Sequence, residues 1–233
     1  MPFADQLKKA AKRLAWLLEV EVAKRIDTLT WTQSGSTGAF YITPSEGEPE
    51  RVRAIDLVTH AVTEYEEKAS LEDCQSDIGS WFFDSGTGRL YVHTTLSGAV
   101  APDAGDFYFA AYYLRRFCDG QYPYPNELVF DGKWYDPRLK KDSIPDLSVE
   151  LSGFHQGGVL QTWSDFKLAN SDGALDEDLV DYIWENKIFM LKCGAPGDAY
   201  ASFVTVSQGR TGSITWDDDE ITVGIEDPMK GED

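Results

Sequence analysis

Short β-forming segments separated by tight turns are the feature that most limits how this chain can fold. The clearest case is Asp131-Gly132, which joins Leu128-Val129-Phe130 to Lys133-Trp134-Tyr135. Asp-Gly favours a two-residue hairpin turn because both turn positions adopt positive φ. A second hairpin is predicted from Trp81-Phe82-Phe83, the turn residues 84–88 and the segment 89–93. The chain is therefore predicted to form hairpins rich in aromatic side chains.

The rest of the sequence extends this pattern and adds two helices. Apolar residues at intervals of three and four predict a short helix over residues 3–15 and another over 175–187. Residues 52–65 are ambiguous: Val, Ile and Thr favour a strand, whereas the Glu-rich end favours a helix or a loop. Further strands are predicted over residues 17–22, 39–42, 107–118, 147–151, 159–168, 189–192, 199–208, 212–216 and 220–225. We predict a mainly β fold, with antiparallel strands in sandwich or barrel-like layers.

The domain organisation follows from a turn-rich connection. Residues 119–126 contain two prolines and no periodicity, which favours a boundary nearby. We predict a basic N-terminal helix or arm over residues 1–16, a β-rich subdomain over 17–125 and a second β-rich subdomain over 126–233.

The charge distribution limits the kinds of partner. The chain of 233 residues has a formal net charge of −19. Nucleic acid and anionic membrane surfaces attract basic proteins, so neither is an expected partner. Residues 1–13 contain Lys8, Lys9, Lys12, Arg13 and one aspartate, a net charge of +3, which leaves −22 for the rest. This basic segment is either a solvated helix face or an arm that docks on an acidic surface.

Targeting and cysteine patterns favour a soluble protein that folds in a reducing cytoplasm. Cys74, Cys118 and Cys193 are widely spaced, which is not typical of a disulfide framework or a zinc site. The apolar run 14–18 ends at Glu19, too early for a secretory signal. The sequence has no apolar stretch near the roughly 20 residues of a membrane span.

No motif in the sequence predicts catalysis, a metal or a cofactor. Residues 170–173, Asn-Ser-Asp-Gly, match part of a calcium loop, but Leu168 and Leu179 stand where oxygen ligands are needed. We therefore interpret the segment as a turn. The three histidines are scattered, and there is no Gly-x-Ser-x-Gly. Weak cation binding at the acidic turn 217–220 and a pair of carboxylates suited to glycoside hydrolysis both stay open.

Two segments carry a resemblance to a known class of proteins. Residues 126–145, NELVFDGKWYDPRLKKDSIP, are followed by residues 168–176, LANSDGALD, and then by a β-rich end. This order resembles baseplate or tail-tip structural proteins of long-tailed bacteriophages, mainly over residues 126–227. The hairpin GSWFFDSGTGRLYVHT over residues 79–94 adds weaker support. Larger hub proteins with similar segments carry extra domains, sometimes with clustered cysteines, so we expect a small ring or hub-associated component and not the central hub.

The resemblance implies a non-enzymatic virion protein that is assembled in the host cytoplasm. It implies contacts with other tail or baseplate proteins and a homo-oligomeric ring, a trimer or a hexamer. The candidate assembly contacts are Lys8, Lys9, Lys12, Arg13, Trp81, Tyr91, Trp134 and Tyr135.

The main alternative is a carbohydrate-binding β-sandwich, and a glycoside-cleaving protein is a third possibility. Stacking on sugars requires Trp81, Tyr91, Trp134 or Tyr135 to be exposed on one monomer. Assembly instead requires these rings to be buried within or between subunits.

Overall fold

The structure is a computed structural model that describes residues 15–35, 38–94, 101–103, 107–119, 129–130, 132–144, 165–194 and 199–226. These residues form a mainly β fold, which confirms the predicted class. Most of the predicted N-terminal helix, including its four basic residues, lies outside the described residues, and residues 15 and 16 of the predicted arm belong to a strand. The predicted strand 147–151 and most of the predicted strand 159–168 also lie outside the described residues.

The strands and helices are numbered in chain order. The strands are β1 (Ala15–Arg25), β2 (Thr32–Ser34), β3 (Ala39–Ile42), β4 (Arg51–Asp56), β5 (Val62–Glu67), β6 (Ser80–Asp84), β7 (Arg89–His93), β8 (Phe107–Cys118), β9 (Val129–Phe130), β10 (Lys133–Trp134), β11 (Phe166–Ala169), β12 (Tyr182–Ile183), β13 (Ile188–Gly194), β14 (Val204–Trp216) and β15 (Glu220–Ile225). The helices are α1 (Leu71–Ser76) and α2 (Asp176–Asp181).

The chain divides into two compact units. The first unit comprises residues 22–114 and 180–183. The second comprises the described residues within 15–21, 115–179 and 184–226. Strands β1 and β8 therefore each contribute residues to both units.

In the first unit the strands follow the order β1, β8, β4, β5, β6, β7, β3, β2, with β12 paired to β1. We predicted antiparallel strands, but β5 and β6 pair in parallel, so the sheet is mixed. The ambiguous segment 52–65 forms β4, a turn and most of β5. Successive side chains of a strand point to opposite faces, so the buried Val52 and Ala54 alternate with the partly exposed Arg51 and Arg53.

Helix α1 was not predicted from the sequence. The hydroxyl of Ser70 accepts a hydrogen bond of 3.1 Å from the backbone N–H of Asp73, which caps the first turn. The thiol of Cys74 is buried and anchors the helix on the core. With six residues, α1 is too short to show a clear helical periodicity in the sequence.

In the second unit the strands follow the order β11, β15, β14, β13, β1, β8. The prediction of separate strands over 199–208 and 212–216 was wrong, because β14 runs continuously from Val204 to Trp216. Its first half pairs with β13 and its second half with β15, and a bulge lies between Thr211 and Ile214. Pairing with two partners on successive stretches holds one long strand through residues 209–211, which separated the two predicted strands.

The predicted helix over 175–187 is shorter than expected. Helix α2 ends at Asp181, and the next two residues form β12, with Tyr182 opposite Lys24 and Ile183 opposite Ala23 on β1. Pairing with β1 therefore takes precedence over continuing the helix. Asn186 then adopts a left-handed φ of 54°, which is incompatible with a helix.

Candidate functional site

The two segments that carry the family resemblance both lie in the second unit. The first forms the hairpin of β9 and β10, in which Gly132 adopts the positive φ, 72°, that the Asp-Gly pattern predicts. Trp134 is 58% exposed, whereas the next residue, Tyr135, is fully buried. Adjacent residues in extended backbone point in opposite directions, so the hairpin holds one aromatic ring in the core and presents the other to solvent.

Tyr135 is fixed by a buried polar group that we call the Glu19 cluster: Glu19, Tyr135, Lys192 and Tyr200. The Tyr135 hydroxyl donates a hydrogen bond to Glu19. The Tyr200 hydroxyl donates to the same carboxylate at 2.8 Å, and the Lys192 ammonium donates to its other oxygen at 2.9 Å. Lys192 also donates to the Tyr200 hydroxyl. A buried carboxylate with this many donors is compensated for the water it has lost.

The electrostatics of the cluster favour a charged carboxylate. Burial raises the pKa of Glu19, but the hydrogen bonds from Tyr135, Lys192 and Tyr200 outweigh it and hold the pKa below its ordinary value. Burial together with the Glu19 carboxylate raises the pKa of Tyr135, so this phenol stays protonated. Burial lowers the pKa of Lys192, but its hydrogen bonds to Tyr200 and Glu19 more than reverse the effect. The cluster is a charged anchor for the hairpin.

Arg138 joins the hairpin segment to the second motif. Its guanidinium donates to both carboxylate oxygens of Asp172, at 2.6 and 2.7 Å. It also donates to the backbone carbonyl of Ala169 at 3.0 Å and to Asp136 at 2.8 Å. The hydrogen bond from Arg138 holds the pKa of Asp172 well below its usual range. A two-pronged guanidinium contact fixes orientation as well as distance.

Backbone hydrogen bonds reinforce this junction. Leu139 pairs with Leu168 in an antiparallel bridge, and both side chains are buried. The N–H of Ala169 donates to the carbonyl of Arg138, and the N–H of Lys140 donates to the carbonyl of Lys167, both at 2.8 Å. The two motif segments therefore form one structure, although about thirty residues of chain separate them.

The loop over residues 170–176 is a turn, as predicted, with Gly173 at positive φ. Asn170 is buried, and its side-chain oxygen accepts from the N–H of Leu175 at 2.9 Å. Its amide nitrogen donates to Asp176 at 2.8 Å. The side-chain amide of Asn170 thus links the start of the loop to its end. In a calcium loop the carboxylate of Asp172 would bind the ion, but here it binds Arg138.

The acidic turn after β14 is also as predicted. The carboxylate of Asp217 accepts from the backbone N–H groups of Asp219 and Glu220, both at 2.9 Å. Glu220 receives Lys140 on one carboxylate oxygen and Lys167 on the other, each at 2.6 Å. Lysine ammonium groups therefore neutralise the last acid of this turn.

The candidate contact residues are placed very differently. Trp81 and Tyr91 are buried in the first unit, where Tyr91 packs against the rings of Tyr41 and Phe82. Tyr135 is buried in the second unit, and Trp134 is exposed. Lys8, Lys9, Lys12 and Arg13 lie outside the described residues.

Side chains that bind metal ions do not converge among the described residues. No set of three His, Cys, Asp or Glu side chains there is arranged to hold a metal ion. His93 faces the backbone carbonyl of Cys74 at 3.0 Å and not its thiol, and burial raises the pKa of that thiol. Cys74, Cys118 and Cys193 form no disulfide. In the described part of the chain, none of the helices has the length and apolar character needed to cross a membrane.

Two features of this candidate site could not be identified from the sequence. Glu19 interrupts an apolar run and alternates with it, a pattern that fits an exposed strand face, yet its side chain is buried. Its partners Lys192 and Tyr200 are far away in sequence, so no local signal pairs them. Arg138 stands inside the hairpin motif, but its partner Asp172 could be identified only from the tertiary structure.

The sequence matches no protein-family model, no curated protein and no solved structure at a level that indicates relatedness.

Proposed function

We propose that this protein is a structural component of a bacteriophage tail baseplate or tail tip, which connects the tail tube or hub to the host-recognition apparatus. The observation that carries this proposal is the junction at Arg138 and Leu139, which joins the two motif segments into one structure. Motifs that form a single physical feature are stronger support for a resemblance than two unrelated matches. The order of the motifs in the chain supplies the rest.

The exposed Trp134 gives this structure a contact residue. Its neighbour Tyr135 is fixed in the Glu19 cluster, so the ring is presented from an anchored hairpin. Tryptophan residues held rigidly at a surface are typical energetic centres of protein interfaces, because little conformational entropy is lost on binding. Trp134 is therefore the proposed contact of this hairpin, whereas Tyr135, Trp81 and Tyr91 have structural roles within the subunit.

The proposed setting is a homo-oligomeric ring, a trimer or a hexamer, within the virion tail. The protein is assembled in the host cytoplasm and acts without catalysis, through contacts with other tail proteins. The strongly acidic chain favours protein partners over nucleic acid or an anionic membrane. The basic residues at 8, 9, 12 and 13 are proposed to dock on an acidic surface of a neighbouring subunit.

Trp134 also favours a second candidate, a carbohydrate-binding module. An exposed indole ring is the kind of surface on which a sugar face stacks, and Trp134 is the candidate of the original four that is available for it. Binding of the purified chain to a glycan array, lost on Trp134→Ala, would support this alternative. If the baseplate proposal is right, neither the wild-type chain nor the variant binds glycans, and the substitution weakens assembly.

The test of the proposal is immunogold electron microscopy of virions with an antibody raised against this chain. Gold at the distal end of the tail is the expected result, and preimmune serum and an antibody against the major capsid protein are the controls. Intact and tail-disrupted particles that both stay unlabelled, with the antigen in the soluble fraction, would contradict the proposal.

A further inference from the structure

Strand β14 has an open edge along its first half. It pairs with β13 from Val204 to Arg210, but with β15 only from Thr211 onward. On the β15 side, one further hydrogen bond of 3.0 Å runs from the N–H of Glu226 to the carbonyl of Arg210. Among the described residues, no strand lies beside residues 204–209 on that side. We call residues 204–209 the β14 edge.

Two residues of the β14 edge direct their backbone groups outward. The carbonyl of Arg210 faces the β15 side, so alternation along the strand turns the backbone of Gln208 the same way. Ser207 and Thr205 lie opposite consecutive residues of β13, which leaves Val206 as the extra residue of a bulge. The bulge shifts the alternation by one, so the next outward residue is Thr205. Thr205 and Gln208 therefore offer their N–H and carbonyl groups to an incoming strand.

The side chains of the β14 edge favour pairing. The segment reads Val-Thr-Val-Ser-Gln-Gly and has neither the charges nor the prolines with which proteins protect exposed edges. Val204 is 64% exposed, and Thr205 and Gln208 are exposed as well. Valine and threonine both prefer strands. An uncharged edge of strand-forming residues is a surface to which a further strand adds readily.

The chain's own continuation is a poor partner for this edge. After Glu226 the sequence continues with Asp227 and Pro228, and proline has no N–H to donate. The N–H of Glu226 faces β14, so alternation assigns the next donor position to residue 228. An extension of β15 along the β14 edge would therefore lose its next hydrogen bond. A strand from another molecule is the better occupant.

We propose that the β14 edge pairs antiparallel with the β14 edge of a second copy of this chain, around a two-fold axis. Thr205 then lies opposite Gln208 of the second copy, and Gln208 lies opposite its Thr205, so the same two residues supply both halves of the ladder. Hydroxyl and amide side chains placed opposite each other can hydrogen-bond across the strands. Val204 lies opposite Gly209 of the second copy, which has no side chain to collide with it.

Charge favours a meeting of two copies at this edge. The chain has a formal net charge of −19, so copies repel each other over most of their surfaces, but residues 204–209 carry no charge. On β13 and the first half of β14, the charged side chains are Lys192 and Arg210. Lys192 is bound to Glu19. In the proposed register Arg210 lies opposite Phe203 of the second copy, so like charges do not face each other.

The contact joins the same surface of two copies. Such a two-fold contact closes on itself, so it pairs copies and does not by itself build a ring. The inference therefore goes beyond the proposed function and does not depend on it. Together with a three-fold contact elsewhere on the chain, it gives a hexamer made of two trimers.

The test is sedimentation velocity of the purified full chain over a range of concentrations, with two double variants that differ only at residue 208. The wild-type chain should form a dimer, and raised salt should strengthen it, because salt screens the repulsion between two acidic copies. Thr205→Glu with Gln208→Glu should weaken the dimer by about tenfold or more, since like charges then face each other. Thr205→Glu with Gln208→Lys places opposite charges in the same register and should keep the dimer within about threefold of wild type.

Ser213→Glu with Thr215→Glu is the matched control, because it adds the same two negative charges as the weakening variant. Both residues are exposed on the second half of β14, where β15 already occupies the edge, so the dimer should be unaffected. Circular dichroism verifies that each variant folds. A wild-type chain that stays monomeric at every concentration would overturn the inference. Dissociation by salt, or equal effects of the two double variants at residues 205 and 208, would overturn it as well.

Amide hydrogen exchange gives a readout that needs no substitution. In the dimer the N–H groups of Thr205 and Gln208 are hydrogen-bonded, so their exchange should slow as the protein concentration rises. The N–H of Thr59, in the first unit, is the internal control and should exchange at a constant rate. A dimer in which Thr205 and Gln208 exchange as fast as in the monomer would show that the copies meet at another surface, and the inference would fail.

Discussion

Two hairpins that look alike in sequence differ in how far their aromatic rings are exposed to solvent. Both place aromatic residues on either side of an Asp- and Gly-containing turn. In the hairpin of β6 and β7, Trp81 and Tyr91 are buried. These strands lie inside a sheet, between β5 and β3, and α1 packs against both of them. Strands β9 and β10 pair only with each other among the described strands, and Trp134 is exposed.

The difference shows that the tertiary surroundings of a hairpin, and not its residue types, decide whether its aromatic rings are buried. A hairpin inside a sheet uses its rings to build the core. A two-stranded hairpin is only marginally stable by itself. The second hairpin is instead attached through Tyr135 to the Glu19 cluster and through Arg138 to the loop over residues 170–173. The Trp134 ring of this hairpin is exposed to solvent.

The largest expected effect tests the first hairpin. Trp81→Ala should lower the free energy of unfolding by about 3–5 kcal/mol, because it removes a fully packed ring and leaves a cavity. Chemical denaturation followed by far-UV circular dichroism measures the loss. A loss below about 1 kcal/mol would show that the ring is not part of a close-packed core.

The next effect tests the anchor of the second hairpin. Lys192→Met should lower the free energy of unfolding by about 2–3 kcal/mol, somewhat less than for a fully buried pair, because it leaves the Glu19 carboxylate without its cation. Adding Glu19→Gln should recover part of the loss, which a double-mutant cycle measures. Lys68→Met is the control, since Lys68 pairs with exposed carboxylates and should change stability little.

Acid should weaken the same anchor. The pKa of Glu19 is lower in the folded protein than in the unfolded chain, where it is about 4.3. Its contribution to stability is therefore complete above that unfolded pKa and is lost as the pH falls through the folded pKa. Stability measured from pH 7 downward should fall less steeply in Glu19→Gln than in wild type. Parallel curves would show that other carboxylates control the acid transition.

A smaller and more local effect is expected at the junction of the two motifs. Arg138→Ala removes the two-pronged contact with Asp172 and should speed amide hydrogen exchange in the 170–174 loop by roughly tenfold. Arg138→Lys should give an intermediate rate, because an ammonium group keeps the charge but not the paired geometry. Unchanged exchange at Ala174, whose N–H donates to Asp172, would mean that backbone pairing alone holds the loop.

The smallest expected effect on stability completes the comparison of the hairpins. Trp134→Ala should change the free energy of unfolding by less than about 0.5 kcal/mol, since the ring is mostly exposed. The same variant should join tail assemblies at least about tenfold less well, if Trp134 is an interface centre. Competition between wild-type and variant chains during assembly measures this. Equal incorporation would remove Trp134 from the proposed contacts while leaving its exposure unexplained.

Sequence reasoning succeeded where the signal was local. The Asp-Gly hairpin, the 84–88 turn, the long aromatic strand β8 and the Asn170–Gly173 turn were all predicted, because each depends on the backbone preferences of adjacent residues. Helix α1 and the early end of α2 were not predicted. The first is too short to show periodicity, and the second depends on pairing with a strand about 160 residues earlier in the chain.

The sequence by itself determined the mainly β class, the positions of the turns and the acidic character of the surface, since these depend on local propensity and composition. The tertiary structure alone decided which aromatic rings are buried, that Glu19 meets Lys192 and Tyr200, and that Arg138 meets Asp172. The physical reason is that burial and ion pairing depend on distances between residues far apart in the chain. Those distances are set only when the strands pair in a particular order and register.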